Sequence, residues 1–257
     1  MNHFFDLCQV SYSYPTTIQD ALYHVDLSIV ENKVTAILGP NGAGKSTLLD
    51  ILLGWRAPNT GKILLKGNPI HSYSKRDRSK LISLVPQNEP IQFSFTLLDY
   101  VLFGRAPYLP QLGNPKQQDI DIALQAMEQV GLELSPYRSV TSLSGGQCQL
   151  LMLARSIAQE PQMIILDEPT SSLDPGNTAV VKDIITGLVE SGHTVVFTTH
   201  DPNFAAETAD SIAMIKRGRL LAHLPVSEAL TSARISDLYD TPIEVIHHNE
   251  RPLVFRR

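Results

Sequence analysis

Nine consecutive residues, Gly39-Pro40-Asn41-Gly42-Ala43-Gly44-Lys45-Ser46-Thr47, have the types and spacing to hold a chain of phosphates. They follow the apolar run Val34-Thr35-Ala36-Ile37-Leu38 and lead into Leu48-Leu49-Asp50-Ile51-Leu52-Leu53. Buried strand, glycine-rich turn, then helix is the order in which G-x-x-x-x-G-K-[ST] acts as a phosphate loop. Glycines let backbone N–H groups turn inward with no Cβ in the way, and the new helix points its positive end at the same place. Lys45 suits the β- and γ-phosphates, and Ser46 offers a hydroxyl to Mg²⁺. The chemistry implied is binding of a nucleoside triphosphate.

Two further groups extend that chemistry. Asp167 and Glu168 follow the apolar run Met163-Ile164-Ile165-Leu166, which places both acids at the carboxyl end of a buried strand, where ligands sit in such sheets. An acid there can hold Mg²⁺ directly or through water, and the second is suited to orient and deprotonate an attacking water. In Leu143-Ser144-Gly145-Gly146-Gln147, Ser144 suits a helix N-cap, and two glycines at the helix start expose unencumbered N–H groups. Two anion-binding ends for one triphosphate point to a nucleotide held between two chains.

The elements that must position these residues can be read from the same sequence. Of 257 residues, 43% are apolar and 18% charged, enough for a sizeable core. The net charge of −5 argues against a nucleic-acid partner, which normally calls for a basic surplus. Cys8 and Cys148 have no metal-ligand spacing and read as free thiols. The N-terminus lacks the basic and apolar regions of a secretory signal, and no run approaches about 20 apolar residues, so no bilayer-spanning segment is expected.

Strands are expected over Leu7–Tyr14 and Leu22–Val30 and before the phosphate loop, forming an antiparallel sheet beside the nucleotide core. Tyr14 reads either as a platform for an adenine ring or as a half-buried strand aromatic. The charged run 75–80 reads as a solvated helix face. A long amphipathic helix is expected from Pro115, with Ile120, Ala123, Leu124, Met127 and Val130 as its stripe, and another from Gly145 to Ala158. Strands alternating with helices after Met163 imply a mostly parallel sheet covered on both faces, with a short helix and an irregular tail beyond Pro225. The expected organisation is one domain over 1–257. Its α/β core spans 1–87 and 161–225, a helical subdomain spans 88–160, and the tail spans 226–257.

The order Gly39–Thr47, Gln87, Leu143–Gln147, Met163–Glu168, Ser172-Leu173-Asp174 and His200 resembles that of the ATP-binding cassette (ABC) ATPases over nearly the whole chain. The resemblance implies a P-loop NTPase α/β fold with an N-terminal antiparallel β part and an inserted α-helical subdomain. It also implies ATP and Mg²⁺ as ligands. Gly39, Pro40, Asn41, Gly42, Ala43, Gly44, Lys45, Ser46 and Thr47 would bind ATP phosphates, with Ser46, Gln87 and Asp167 toward Mg²⁺. Glu168 would be the general base, His200 would contact the γ-phosphate, and Gln87 would also sense a membrane partner. Ser144, Gly145, Gly146 and Gln147 would meet the ATP held by a second copy, Asp174 would link the two sites, and Tyr14 would stack on adenine. One departure is visible: Cys148, Gln149 and Leu150 stand where many members carry arginines.

Within that family, Val101-Leu102-Phe103-Gly104-Arg105-Ala106-Pro107 and the tail through Leu238-Tyr239-Asp240-Thr241-Pro242 resemble ATPases that import ferric siderophores, haem, cobalamin and related chelates. The segment 88–114, rich in aromatics and prolines, reads either as a groove for a membrane partner or as subdomain core. The resemblance implies a self-dimer under two permease subunits at the cytoplasmic membrane face, served indirectly by a substrate-binding protein. Importers of zinc, manganese or molybdate share parts of these patterns. A soluble cassette ATPase acting on ribosomes or DNA is a different class, but such chains commonly carry two cassettes or long coiled-coil insertions. A small-molecule P-loop kinase is disfavoured by Leu143–Gln147.

Overall fold

The computed structural model describes residues 2–15, 20–89, 94–110, 113–248 and 251–256. In chain order the elements are β1 (His3–Tyr12), β2 (Leu22–Val30), β3 (Val34–Leu38), α1 (Lys45–Leu52), β4 (Thr60–Leu65), β5 (Asn68–Pro69), α2 (Lys75–Leu81), β6 (Ile82–Val85), α3 (Leu97–Leu102) and α4 (Gln117–Gln129). There follow α5 (Gly145–Ala158), β7 (Met163–Leu166), α6 (Pro175–Glu190), β8 (Thr194–Thr199), α7 (Pro202–Thr208), β9 (Ser211–Lys216), β10 (Arg219–Pro225), α8 (Val226–Ala229), α9 (Ser232–Tyr239), β11 (Ile243–His248) and β12 (Arg251–Arg256). Packing divides the chain into two compact units, one of 1–73 with 194–257 and one of 74–193. No helix among the described residues is long and apolar enough to cross a membrane.

In the first unit, every residue of β3 and β8 is buried, the pattern of parallel strands covered on both faces. They pair in parallel from Val34 opposite Val195 to Leu38 opposite Thr199, and β9 pairs in parallel on the other side of β3. The register matters for function: the segment after Leu38 and the segment after Thr199 leave adjacent strands at the same carboxyl edge. The antiparallel sheet runs β2-β1-β4-β5. It differs from expectation in that β3 belongs to the parallel strands, while β4 and β5 complete the antiparallel set. All-buried β3 has no solvent face to offer an antiparallel sheet open to water. Two hairpins close on two-residue turns, Lys66-Gly67 and Arg217-Gly218, in which both central residues have positive φ, the requirement of a type I′ turn.

In the second unit β6 and β7 are parallel, with Val85 opposite Leu166. Helices α3, α4 and α5 pack on one another. Helix α2 has no buried residue, as its charges predict. Helix α4 begins two residues later than its proline suggested, and Leu124 is 38% exposed while Ala126 is buried in its place. The expected stripe drifted because position 126, not 124, shares a face with Ala123, Met127 and Val130 at 3.6 residues per turn.

The polar centre of this unit is Arg105, whose side chain is 5% exposed. Its Nε donates to Asp119 Oδ1 at 3.0 Å, and its Nη1 to Ala158 O and Glu160 Oε2, each at 2.7 Å. Its guanidinium also covers the Tyr108 ring at 4.2 Å. The Lys116 N–H and then Arg105 hold the Asp119 carboxyl below the usual carboxylate range. One residue earlier, a Cβ on Gly104 would lie 2.2 Å from the Arg155 carbonyl oxygen, so the chain after α3 can touch α5 only through a glycine. The 101–107 segment thus ties α3, α4 and the end of α5 together. Residues 90–93 and 111–112 of the 88–114 segment lie outside the described residues.

The tail departs from the expected irregular chain. Helix α9 buries Ile235 and Leu238, and β11 pairs antiparallel with β12. Its signal was weak because α9 is two turns long, and the hairpin carries His and Glu among its apolar positions.

Gly104→Ala should cost about 1–3 kcal/mol through overpacking. Thermal unfolding should register a fall of roughly 2–10 °C, given the usual scaling for a chain of this size.

Candidate nucleotide site

Each unit carries its own share of the site residues. In the first, Gly39–Gly44 form the turn between β3 and α1. Gly42 and Gly44 have φ of 76° and 108°, values that disfavour any side chain. A Cβ on Gly39 would lie 2.2 Å from Ile215 O, and one on Gly44 2.6 Å from Ala21 O. The loop is therefore pressed against backbone on its inner side. Gly39 N–H donates to Thr199 O at 3.3 Å, and Gly218 N–H donates to Ala43 O at 2.8 Å. Helix α1 has no side-chain cap and no acid in its first turn, so its own residues place no carboxylate at its positive end.

Lys45 is 6% exposed, and its ammonium donates to the carbonyls of Gly39 at 2.9 Å and Pro40 at 3.3 Å. A buried cation held at the mouth of a ring of glycines fits a polyanion. Ser46 is exposed beside it, while Thr47 is buried and its Oγ1 lies 3.0 Å from the Tyr14 hydroxyl. The Tyr14 ring packs edge-on against Tyr12 at 5.2 Å and carries the Arg56 guanidinium at 4.7 Å. Tyr14 is thus joined to the phosphate-loop helix itself. His200 is exposed immediately after β8.

In the second unit, the β6–β7 register brings Gln87 and the two acids to one edge. Asp167 N–H donates to Val85 O at 2.9 Å. Glu168 has a φ of 47°, a left-handed conformation that bends the chain away from β7, and its carbonyl accepts from Ser171 N–H at 3.2 Å. Gln87 Nε2 donates to Ser171 Oγ at 3.2 Å. Asp167 and Glu168 are half-buried.

Helix α5 opens with a reciprocal capping box: Gln147 N–H donates to Ser144 Oγ at 3.3 Å, and Ser144 N–H to Gln147 Oε1 at 3.1 Å. The box does not use the N–H groups of Gly145 and Gly146. Asp174 caps α6, whose first helical position is filled by Pro175. Asp174 Oδ1 accepts from Asn177 N–H at 2.9 Å and Oδ2 from Asn177 Nδ2 at 2.7 Å, bonds that hold its carboxyl below the usual range. The Asn177 amide lies against Gly146, where a Cβ would come within 2.8 Å of it. Asp174 therefore reaches the start of α5 through Asn177.

Asn177, Ser171 and Arg56 were not read from the sequence. The first was legible in part, since Asp-Pro opening a helix is an N-cap signal with a partner three residues on. The other two depend on contacts across 84 and 42 positions of chain. Burial pushes the Cys148 thiol up, which lowers its thiolate fraction and its reactivity. Among the described residues no group of three or more His, Cys, Asp or Glu is placed to hold a metal. Mg²⁺ asks instead for hard oxygens, of which the Ser46 hydroxyl, the Gln87 carbonyl and the Asp167 carboxylate are suitable kinds.

A family model for ABC transporters matches residues 22–171. The chain belongs to the ABC transporter family. This ABC protein is 37% identical over 233 residues to a probable iron chelatin transport ATP-binding protein of Helicobacter pylori strain J99, covering 90% of this chain and 91% of that one. A solved metal-chelate type ABC transporter in an inward-facing conformation superposes with a TM-score of 0.86 at 32% identity, covering 99% and 97% of the two chains. An ATP-binding cassette solved as a dimer bound to ADP and Pi superposes with a TM-score of 0.75 at 28% identity, covering 86% and 98%. The ABC fold is thereby shown, and with it nucleotide binding and ATP hydrolysis as the family activity.

The contact of Asn177 with Gly146 can be tested by a double-mutant cycle. Alanine for glycine within a helix gains up to about 1 kcal/mol. Gly146→Ala should be neutral or destabilising alone, and stabilising when added to Asn177→Ala, as read by denaturant melts. Additive effects would show that Asn177 and Gly146 do not interact.

Proposed function

We propose that this chain is the ATP-hydrolysing subunit of an importer that takes up a metal chelate such as a ferric siderophore, haem or cobalamin. It works as a dimer of two copies beneath two permease subunits, peripheral to the cytoplasmic face of the membrane, with a substrate-binding protein upstream. The likeness to an iron chelatin transport protein across nine-tenths of both chains supports the cargo class. The solved dimer of a related cassette supports the assembly.

The observation that carries the mechanism is the shared edge of β6 and β7, where Gln87, Asp167 and Glu168 follow paired strand ends. In the proposed reaction the loop N–H groups of 39–47 and the Lys45 ammonium hold the β- and γ-phosphates, with Tyr14 beside the adenine. Ser46, Gln87 and Asp167 would hold Mg²⁺, which would supply charge neutralisation at the phosphates. Glu168 orients a water and takes its proton as the water oxygen bonds to the γ-phosphorus. The bond from that phosphorus to the bridging oxygen breaks, leaving ADP and phosphate. His200 donates to the γ-phosphate. Ser144, Gly145, Gly146 and Gln147 of the second copy complete the anion site with the two glycine N–H groups their capping box leaves out, and Asp174 relays its state through Asn177. Closure on ATP and reopening after hydrolysis would move the permease between access states.

Glu168→Gln should keep ATP binding, accumulate ATP-bound dimers on sizing columns, and lower kcat by at least about 100-fold, the scale of a lost general base. Wild-type turnover would overturn the assignment. With its permease in vesicles, ATP-dependent uptake of a ferric siderophore, haem or cobalamin is expected. Uptake confined to molybdate, zinc or manganese would overturn the cargo class, and stable ribosome or DNA association without a permease would overturn transport.

A further inference from the structure

The last turn of α9 reaches residues that border the nucleotide site of the first unit. The Tyr239 hydroxyl donates to the His200 carbonyl oxygen at 2.7 Å. His200 lies one residue past the end of β8, so strand pairing no longer dictates its backbone. The residues that follow it are also held. Asp201 N–H donates to Thr199 Oγ1 at 3.0 Å, and Asp201 Oδ1 accepts from Asn203 N–H at 2.8 Å. The Asn203 side chain pairs with the Val254 backbone in both directions, accepting from its N–H at 2.8 Å and donating to its carbonyl at 3.1 Å.

The same end of α9 is anchored to the residues that lead into the turn bracing the phosphate loop. Lys216 Nζ donates to Asp240 Oδ1 at 2.7 Å and also binds the Asp237 carbonyl, and Arg217 donates to Asp240 Oδ2 at 3.2 Å. The next residue, Gly218, is the one whose N–H supports Ala43. Buried Ile235 and Leu238 seat the helix from below. One short helix thus touches both the turn that braces the phosphate loop and the peptide that follows His200.

We propose that Tyr239 is a positioning residue for His200. Its O–H fixes the 200–201 peptide, and so the ψ angle of His200 and the direction in which the imidazole leaves the chain. Packing alone could be supplied by any aromatic at 239; the directional bond needs the phenol. The inference rests on the reading that His200 meets the γ-phosphate.

Tyr239→Phe keeps the ring and deletes the donor. In the full-length chain we expect kcat for ATP hydrolysis to fall about three- to tenfold, the scale of one lost hydrogen bond, with KM for ATP unchanged. Amides of 200–203 should exchange faster with deuterium. In a His200→Ala background the same change should cost nothing further. Should Tyr239→Phe not fold, 4-aminophenylalanine at position 239, which retains a donor, should preserve both kcat and exchange protection. Wild-type kcat in Tyr239→Phe alongside a crippled His200→Ala would overturn the inference alone, as would an undiminished loss in the His200→Ala background. Wild-type turnover in His200→Ala would overturn the role of His200, and the inference with it.

Discussion

The phosphate loop depends on close backbone contact along the side that carries no ligand. Gly39 sits where a Cβ would lie 2.2 Å from Ile215 O, Gly44 where one would lie 2.6 Å from Ala21 O, and Ala43 O is held by Gly218. A loop that offers N–H groups to an anion must keep them pointed inward before the anion arrives, or binding must supply the cost of ordering them. Here the ordering is done by β9, the β9–β10 turn and the residues before β2. The glycines divide two tasks: Gly42 supplies positive φ for the turn, Gly39 an absent Cβ for the brace, and Gly44 both.

The same economy recurs in the second unit. Gly104 brings the end of α3 onto the Arg155 carbonyl, and Gly146 brings the start of α5 onto Asn177. Between them α5 has one end fixed by the buried Arg105 cluster and the other by the Asp174–Asn177 cap. A buried guanidinium is expensive unless its donors are paired, and Arg105 finds Asp119, Glu160 and a main-chain carbonyl. The segment 101–107, which resembles a subgroup of importers, therefore has a demonstrable task in helix packing. That task says nothing of cargo, which need not touch this subunit.

Parallel register supplies the remaining alignment. Because Leu38 faces Thr199 and Val85 faces Leu166, residues far apart in sequence leave their strands side by side. Glu168 uses a left-handed turn just after β7 to leave the strand line, and His200 leaves β8 with its carbonyl held by Tyr239 of α9. Strand pairing thus sets where each group starts, and the first residue or two beyond the strand set where it points.

Much of this was legible in the sequence because it rests on local physics. The phosphate loop, the α5 cap and the acids after Met163–Leu166 are short-range patterns, and β2 and α5 end where their own residues say. The α4 stripe runs through Ala126 rather than Leu124, because a small alanine signals a buried face more weakly than the leucine two positions before it. Which sheet β3 joins, the Asn177–Gly146 contact, the Ser171–Gln87 bond and the reach of α9 to His200 were decided by tertiary structure. Each is a pairing between residues whose separate preferences are satisfied in many ways, and only the register of the strands and the seating of buried side chains selects one of them.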